Sequence, residues 1–574
     1  MDYDLIVRGG TIADGTGAPL FEGDIAVKDG KIAAVGKVSG KAKEEIDAKG
    51  KLVTPGFVDV HTHYDGQATW EERLIPSSWH GVTTTVFGNC GVGFAPVRKS
   101  DHQGLIDLME GVEDIPGTAL HEGLKWDWES FPDYLDALDR RRHDMDMCAQ
   151  LPHAPLRVYV MGERAMRLEP ATEKDRAEMR RLTAEAVRAG ALGFTTSRSF
   201  NHMTSKGDPT PTLKAEEAEL TEMAMGLKDA GRGVIQLTAN WTKEDRPRDF
   251  PMLCRIMRAC GRPLSITITQ RHKEPDNWRD MLAYMDKAWE EGLQFRAQVA
   301  PRSIGSMFGL TLSRHPFWLN PSYKEIENKP LAERVAIMKD PSFRARLLAE
   351  KPQHKSDVLV GRTSNYEYTF SLGNPPNYEP AAETSIAAIA RRLGRQPDDI
   401  AYDMLLEQDG HAFLFSPNTN YAHYNLDAVG ELIRHPHTCL GLSDGGAHVG
   451  NISDSGYPTF VLSYWGRDRK HGRIDLPWLV RWLTGATAEL AGLLDRGRIA
   501  RGYRADINVI DFDRLGQSYP YLAYDLPMGG RRFMQKGQGY EVTMLGGKIT
   551  YREGEPTGVL AGKLVRGQQP APAV

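Results

Sequence analysis

Four residues in three short stretches have the side chains and the spacing that metal chemistry requires. His61 and His63 lie two positions apart at the end of Pro-Gly-Phe-Val-Asp-Val-His-Thr-His, Cys90 lies in Gly-Asn-Cys-Gly, and Asp444 lies in Ser-Asp-Gly-Gly. Two imidazoles, a thiolate and a carboxylate together suit zinc. Each also has an ordinary structural use, because histidines can pack in a core, a lone cysteine can act as a small apolar side chain, and Asp-Gly is common in turns.

The element that must position the two histidines is a short buried strand, predicted over residues 57–63. Side chains alternate along a strand, so His61 and His63 point to one face while Val58 and Val60 point to the other. Two imidazoles on one face of a strand can bind a single divalent ion. The Pro-Gly that leads into this strand and the acidic residue that follows it favour metal binding over core packing.

Residues 57–494 alternate apolar β-like runs with amphipathic, charge-rich stretches, which predicts a parallel sheet closed into a (β/α)8 barrel. There are more candidate strands than the eight places, and 412–416 is the expected surplus. The segment 300–380 interrupts the alternation and is interpreted as an insertion. The candidate strands are 57–63, 82–88, 156–160, 191–196, 233–238, 264–269, 294–299, 412–416 and 438–443. The candidate helices include 173–189, 214–230, 277–291, 384–393 and 477–493.

A barrel of parallel strands carries its reactive side chains at the carboxyl ends of the strands. His61 and His63 end the first predicted strand, and Cys90 closely follows the second. Asp444 ends the last predicted strand. The barrel therefore predicts that these four residues, which are far apart in the sequence, meet at one site.

Both ends of the chain contain short predicted strands broken by glycines. Lys28-Asp-Gly-Lys31 lies between two apolar runs and predicts a hairpin. A sheet this small needs a partner to pack on. We therefore expect residues 1–56 and 495–574 to form one β-sandwich domain, with the barrel inserted between them.

The composition excludes several classes of protein. With 574 residues, 41% of them hydrophobic and 26% charged, and a net charge of -5, the chain is typical of a soluble globular protein and shows no sign of binding nucleic acid or an anionic membrane. The scattered cysteines include no Cys-x-x-Cys pair, which favours free thiols in a reducing compartment. The acidic N-terminus is unlike a signal peptide, and no apolar run approaches the roughly 20 residues that cross a bilayer. We expect a cytoplasmic homo-oligomer.

The chain resembles the amidohydrolase superfamily and, within it, the N-acyl-D-amino-acid deacylase branch. The motif that ends at His63 is similar to the superfamily's first-strand signature, and Asp444 is similar to the aspartate of its last barrel strand. The resemblance covers nearly the whole chain and implies a metal-dependent amide hydrolase. For Cys90 it implies metal ligation, in a branch without the bridging lysine of many relatives. Further stretches that carry the resemblance are 88–96, 190–197, 490–511 and 556–566.

Two ligands that the deacylase branch implies are missing. Deacylases carry metal-binding histidines at the ends of the fifth and sixth strands, where this chain has Asn240 and Gln270. Neutral amides are poor zinc ligands, so we expect one zinc ion per chain. His202 and His272 could replace the missing histidines, although surface-loop positions are the simpler explanation for both. The predicted zinc ligands are His61, His63, Cys90 and Asp444.

The expected chemistry is attack by water on an amide carbonyl. Zinc lowers the pKa of a bound water to about 7 and polarises the carbonyl. Asp444 is predicted to take the proton of that water and pass it to the leaving amine, alongside or instead of binding the metal. Asn240, Gln270 or His448 could support the oxyanion, and His448 could equally be a structural loop residue.

An N-acylated amino acid would also need a cation for its carboxylate and room for its acyl group. The candidate substrate-binding residues, which lie just past predicted strands, are Arg198, His202, Lys273 and Arg302. The aromatic side chains that could line an apolar pocket, or pack in a core instead, are Trp241, Phe308, Phe317 and Trp318.

The sequence therefore predicts a zinc-dependent amidohydrolase that acts on a small-molecule linear amide such as an N-acyl amino acid. Hydrolysis of a cyclic amide or of another C–N bond is the enzymatic alternative on the same scaffold. Loss of the two expected histidines leaves a third hypothesis, a non-catalytic amidohydrolase-like scaffold. Retention of all four predicted zinc ligands argues against that hypothesis.

Overall fold

A ring of parallel strands forms the centre of the molecule. The computed structural model describes residues 1–352, 363–452 and 454–573. Within these residues, eight neighbouring strands pair in parallel, and a bridge between Thr62 and Gly445 joins the last strand to the first. The mixed α/β architecture that the alternating pattern predicts is confirmed. The barrel strands are Phe57–Asp59, Val82–Phe87, Asp146–Ala149 with its continuation Leu151–Pro152, Gly193–Arg198, Val234–Ala239, Leu264–Ile268, Phe295–Val299 and Thr438–Leu440.

The third barrel strand differs from the prediction. Residues 156–160 belong to the helix His153–Met161, and the strand lies just before it. The strand was hidden because its polar residues, Asp146 and Gln150, are buried and because it ends in a proline. The run 156–160 alternates apolar and polar residues over only five positions, too few to distinguish a strand from a buried helix.

The helices between the barrel strands follow the amphipathic stretches of the sequence. The predicted helix 477–493 is two helices, because Thr484 leaves the helical conformation before Gly485. Helices after the barrel strands are His102–Glu113, Gly117–Gly123, Phe131–Asp139, His153–Met161, Glu163–Met166, Glu173–Ala189, Glu217–Ala230, Arg246–Cys260, Asn277–Glu290, Asp427–Arg434, Tyr457–Phe460, the π-helix Val461–Asp468, Leu476–Leu483 and Gly485–Ala491.

A segment with its own apolar core separates the seventh barrel strand from the eighth. The predicted surplus strand 412–416 lies here, in the antiparallel sheet formed by Gly305–Phe308, Phe370–Ser371 and Leu414–Pro417. This sheet extends beyond the predicted insertion 300–380, and residues 353–362 of that prediction lie outside the described residues. The helices of the segment are Pro321–Lys324, Leu331–Met338, Pro341–Ala349, Ile386–Leu393 and Pro397–Leu406.

Strands from both ends of the chain form one sheet. The predicted hairpin is confirmed, since Lys28 pairs with Lys31 across the turn Asp29-Gly30, whose residues both have positive φ. Thr54 pairs with Asn508, which joins the two halves. A two-layer sandwich and the domain limits 1–56, 57–494 and 495–574 stay predictions. Among the described residues the nine strands of this sheet are Tyr3–Ile12, Phe21–Lys28, Lys31–Gly36, Ala42–Asp47, Leu52–Pro55, Ile507–Ile510, Tyr540–Leu545, Lys548–Arg552 and Glu555–Pro556.

Two short hairpin-like pairings complete the C-terminal part, Gly516–Gln517 with Gly537–Gln538 and Tyr521–Leu526 with Gly530–Met534. All five cysteines lie in the described part of the chain and are free thiols. Among the helices of the described ranges, every one is too short or too polar to cross a lipid bilayer.

Candidate metal centre

The end of the first barrel strand meets the segment that follows the last one. The backbone N–H of His63 donates to Gly445 O at 2.7 Å, and that of Asp444 donates to His61 O at 3.1 Å. Val58 and Val60 face the opposite way, into an apolar cluster that includes residues of the helix Gly485–Ala491. These bonds close the barrel and bring Asp444 beside both histidines, as the strand-end argument predicts.

His61 is buried, and each nitrogen of its ring has a distinct neighbour. Its Nδ1 lies 2.6 Å from Gln298 Oε1, a hydrogen-bond distance. Its Nε2 lies 3.4 Å from Cys90 Sγ and 3.5 Å from Asp444 Oδ1. Gln298 in turn donates to Ser265 Oγ at 3.1 Å, so the amide oxygen faces the imidazole. The ring is therefore fixed with Nε2 directed at the other predicted ligands.

Cys90 is positioned by a tight turn after the second barrel strand. Its φ is 55°, and Gly88, two residues earlier, has a φ of 83°. Asn89 Nδ2 donates to three carbonyl groups, including Val86 O at 2.9 Å, and thereby fastens the turn to the strands. A cysteine with positive φ is uncommon, and strain of this kind is concentrated at functional sites.

Asp444 reaches both histidines with one carboxylate oxygen. Oδ1 lies 3.5 Å from His61 Nε2 and 3.7 Å from His63 Nε2. Asp444 has a φ of 49°, and Leu442 and His448 in the same loop also have positive φ, 58° and 51°. Three such residues within seven positions mark a strained loop that holds its side chains over the barrel.

These side chains fit a divalent metal ion. One donor atom each from His61, His63 and Cys90 lies within 4.8 Å of the others, and all three residues are buried. Bonds of about 2.0–2.3 Å to a tetrahedral zinc ion would separate neighbouring donor atoms by about 3.3–3.8 Å. The gaps of 3.4 Å and 3.5 Å between His61 Nε2 and its two neighbours match that spacing.

Burial controls the protonation of the site. It lowers the pKa of His61 and takes the pKa of His63 to about 4, so both rings are neutral at pH 7 and can bind a metal. Burial, with the nearby carboxylates of Glu113 and Asp444, raises the pKa of Cys90 well above its usual value. Burial alone would raise the pKa of Asp444, but the contacts of Asp444 with His63 and His61 outweigh burial and lower the pKa. A cation is what makes a thiolate stable here.

Glu113 belongs to the site and was missed by the sequence analysis. It is the last residue of the helix His102–Glu113 and is 1% exposed. Its Oε1 lies 3.4 Å from His63 Nδ1, and its Oε2 lies 3.6 Å from His448 Nε2. A glutamate at a helix end is usually a solvated surface residue, and the only local signal was the position of Glu113 in the connection between the second and third barrel strands.

The two amides at the missing histidine positions have other partners. Asn240 Oδ1 accepts a hydrogen bond of 2.9 Å from Ser199 Oγ. Gln270 is buried, and its amide bonds to the backbone on both sides, donating to Pro275 O at 3.1 Å and accepting from Ala422 N at 3.1 Å. On the fifth barrel strand, Thr238 lies closer to the predicted ligands than Asn240 does. Its Oγ1 is 3.8 Å from Cys90 Sγ.

Two of the loop histidines lie close to the centre. His448 Nε2 is 3.7 Å from Asp444 Oδ2. His202 Nδ1 is 2.7 Å from Ser197 Oγ, and the pKa of His202 is lowered to about 3 by burial and by the charge of His63. His272 instead packs against Tyr368, with ring centroids 4.5 Å apart.

The candidate cations lie in three different settings. Arg198 is partly buried, with Nη1 3.9 Å from Asp249 Oδ1. Lys273 is exposed. Arg302 is fully buried, 3.1 Å from Asp454 Oδ1, with its guanidinium 3.7 Å above the Tyr378 ring. Arg302 therefore supports the loop that carries Asp454, and its predicted role in binding a substrate carboxylate stays a prediction.

The aromatic candidates pack in cores. Phe308 and Phe317 lie in the apolar cluster of the segment before the eighth strand. Trp241 packs against Phe250, with the two rings tilted by 46°, and its indole N–H donates to Thr267 O at 2.9 Å. Trp318 is partly buried, with Lys324 Nζ 5.5 Å from its ring.

The chain is similar to known proteins over most of its length. The family model described as the amidohydrolase family matches residues 44–551. The chain belongs to the amidohydrolase family. Within the amidohydrolases, a D-aminoacylase of Alcaligenes xylosoxydans xylosoxydans is 28% identical over 519 residues, 89% of this chain and 88% of that protein. An N-acyl-D-aspartate deacylase of the same organism is 25% identical over 558 residues, 97% of this chain and 93% of that protein.

Solved amidohydrolase structures share the fold. A D-aminoacylase described as having a binuclear metal center superposes with a TM-score of 0.65 at 24% identity, covering 98% of this chain and 100% of that one. An N-acyl-D-glutamate deacylase from Bordetella bronchiseptica, complexed with zinc and a phosphonate inhibitor, gives a TM-score of 0.64 at 23% identity, covering 99% and 100%. The predicted resemblance to the D-aminoacylase-like branch of the amidohydrolases is confirmed.

Proposed function

We propose that this amidohydrolase cleaves the linear amide bond of an N-acyl amino acid with a zinc-activated water, and that it holds one zinc ion in the ligand set His61, His63, Cys90 and Asp444. One observation carries the proposal. Buried imidazole and thiol groups and the carboxylate of Asp444, whose side chain is 10% exposed, converge from three separate strand ends, with His61 Nε2 3.4 Å from Cys90 Sγ and 3.5 Å from Asp444 Oδ1. An inert scaffold would have no need to bring these four side chains together at the carboxyl ends of the barrel strands.

A bound zinc ion supplies Lewis-acid polarisation of the amide carbonyl and lowers the pKa of a water molecule. The protein's own groups do the rest. Gln298 Oε1 accepts a hydrogen bond from His61 Nδ1 and so holds the proton of the ring there. The lone pair of Nε2 is then free to bind the metal. The carboxylate of Asp444, which is ionised at neutral pH, takes a proton from water and returns it to the leaving amine. His448 Nε2, 3.7 Å from Asp444 Oδ2, is the neighbour that can orient that carboxylate.

The relatives named as D-aminoacylase and N-acyl-D-aspartate deacylase support an N-acyl-D-amino acid as the substrate class. Arg198 is our candidate for the substrate carboxylate, since it ends the fourth barrel strand and is partly exposed. Intact metal ligands argue against the non-catalytic alternative.

The test is metal analysis and hydrolysis by the purified full chain. We expect stoichiometric metal and release of amino acid from N-acetyl-D-amino acids in preference to the L-forms. Asp444→Asn should lower kcat by at least about 100-fold with the circular dichroism spectrum unchanged, while Asp513→Asn, at an exposed aspartate, should not. Purified protein without bound metal, or a fully active Asp444→Asn variant, would contradict the proposal.

A further inference from the structure

Asp59 ends the first barrel strand with a fully buried carboxylate that the proposed reaction does not use. Within the described residues its two oxygens accept hydrogen bonds from two groups. The backbone N–H of His61 donates to Oδ1 at 3.2 Å, and the hydroxyl of Ser443 donates to Oδ2 at 2.5 Å. A buried carboxylate is costly unless its oxygens accept hydrogen bonds. Both partners adjoin the metal centre, since His61 is a predicted ligand and Ser443 directly precedes Asp444.

Ser443 lies between two residues with an unfavourable backbone conformation. Leu442 has a φ of 58°, and Asp444 has a φ of 49°. Residues with a Cβ rarely adopt such angles, which persist only where the surrounding structure holds them. Ser443 is fully buried, and besides Asp59 its hydroxyl lies near His61 O, at 3.0 Å. A hydroxyl donates one proton, and the shorter contact and the charge of the carboxylate favour Asp59 as the acceptor.

Through these bonds Asp59 connects the first barrel strand to the loop that carries Asp444. The N–H of Asp444 donates to His61 O at 3.1 Å, so the backbone of the loop also lies against the end of the strand. The result is the gap of 3.5 Å between Asp444 Oδ1 and His61 Nε2. A displacement of about 1 Å can lower the rate of a reaction about 100-fold, so the anchor of this loop bears directly on catalysis.

We propose that Asp59 is a positioning residue for the reaction. By accepting hydrogen bonds from the hydroxyl of Ser443 and from the N–H of His61, it holds the strained loop so that the carboxylate of Asp444 stays beside His61. Asp59 acts through Ser443 and touches no reacting atom. The inference rests on the proposed function, because it takes Asp444 as the group that carries the proton. The anchoring of the loop can be tested without any substrate.

The alternative is that the bond between Ser443 and Asp59 only stabilises the barrel, as many buried hydrogen bonds do. Loss of the bond would then lower the free energy of unfolding and leave the loop and kcat unchanged. The two possibilities therefore differ in the local behaviour of residues 441–452.

The first experiment is amide hydrogen exchange of the full chain as purified, followed by mass spectrometry of peptides that cover residues 441–452. Ser443→Ala removes the hydroxyl donor. We expect the amides of this loop, including that of Asp444, to exchange more than about tenfold faster than in the wild type. Ser78→Ala is the matched control, because Ser78 is also buried and its hydroxyl bonds to Tyr551 OH at 3.0 Å. In that variant the loop should exchange at the wild-type rate.

Substitutions of Asp59 separate hydrogen bonding from charge. In Asp59→Asn the amide oxygen can accept from the N–H of His61, and the amide N–H can donate to Ser443, whose hydroxyl then donates to His61 O. We expect the loop of this variant to exchange slowly. Asp59→Ala removes both acceptors and should reproduce the fast exchange of Ser443→Ala. Because Ser443→Ala keeps the carboxylate, it carries the test if Asp59→Ala does not fold.

Steady-state kinetics test the consequence for the reaction. Ser443→Ala should lower kcat by at least about tenfold and keep KM within about twofold of the wild-type value, because the loop that moves carries a group that acts in the transition state. Ser78→Ala should lower the Tm by a similar amount and keep the wild-type kcat.

Wild-type exchange in the loop of Ser443→Ala, or a loss of kcat that Ser78→Ala shares, would overturn the inference. So would an Asp59→Ala variant that folds and whose loop exchanges slowly. Failure of the proposed function gives a different result. A chain that shows the expected exchange pattern but hydrolyses no N-acyl amino acid would contradict the proposed function and leave the anchoring of the loop by Asp59 intact.

Discussion

His61 and His63, which follow the first barrel strand, differ in the group that faces the Nδ1 atom of each ring. His61 Nδ1 bonds to the neutral amide of Gln298, whereas His63 Nδ1 faces the carboxylate of Glu113. Outer partners of this kind fix the ring orientation and the tautomer of a metal-binding histidine. Of these partners, neither was predicted, because a glutamine in a strand and a glutamate at a helix end have no distinctive spacing. The histidines, Cys90 and Asp444 were predicted, since strand ends and short motifs mark them.

At this scale we predict that Gln298→Ala lowers metal affinity by about 10–100-fold. The substitution removes the acceptor that holds His61 with Nε2 toward the metal. Metal retained after dialysis against a graded series of chelator concentrations measures the effect. Gln298→Glu should restore most of the affinity because it keeps the acceptor, and Gln294→Ala, at an exposed position, should change nothing. Equal affinities for all the variants would remove Gln298 from the site.

At the level of single elements, the turn after the second barrel strand places Cys90 beside His61, which follows the first barrel strand. Seven of the barrel strands follow apolar runs that the sequence shows, since a buried parallel strand needs such a run. The third strand and the turn geometry do not follow from patterns. The buried carboxylate of Asp146 is neutralised by ion pairs with Arg496 at 2.8 Å and with Arg504 at 2.9 Å. Both partners come from a distant part of the sequence and meet Asp146 only in the folded chain.

We predict that Gly88→Ala destabilises this turn by at least about 2 kcal/mol. Gly88 has a φ of 83°, and an added Cβ would lie 2.3 Å from Gln150 O, which is backbone and cannot move aside. Differential scanning calorimetry should show a lower Tm, and the variant should also retain less metal because Cys90 shifts. Gly104→Ala, inside the helix His102–Glu113 with open space around it, should be neutral or stabilising. An unchanged Tm for Gly88→Ala would refute the argument.

At the scale of the whole molecule, the barrel and the C-terminal chain are joined by buried polar contacts. His80 is buried after the first strand, with Nδ1 2.7 Å from Thr459 Oγ1 and Nε2 3.0 Å from Gln535 O. The pairing of the two termini could be predicted, because both ends carry short strands that cannot stand alone. The partners of His80 could not be predicted, since they lie 379 and 455 positions away and one of them is a backbone carbonyl.

The neutral form of His80 makes stability depend on pH. Burial lowers its pKa from 6.5 to about 4, so the unfolded chain binds a proton below pH 6.5 that the folded chain accepts only below about pH 4. The contribution of His80 to the free energy of unfolding is fully present above pH 6.5. It falls by about 3 kcal/mol as the pH drops to 4. The Tm of the wild type should therefore fall more steeply from pH 6.5 to 4.5 than the Tm of His80→Gln, which cannot titrate. Equal slopes would contradict this role.

The strand Leu52–Pro55 pairs with Ile507–Ile510 across nearly the whole length of the chain. During synthesis the ribosome must therefore add about 450 further residues before that strand meets its partner, which takes about 20–90 s at roughly 5–20 residues per second. For all of that time the nascent chain carries an open, apolar sheet edge ahead of the growing barrel. Such an edge pairs readily with other chains, so we expect the nascent chain to be more prone to aggregate through its first 55 residues than through the barrel that carries its chemistry.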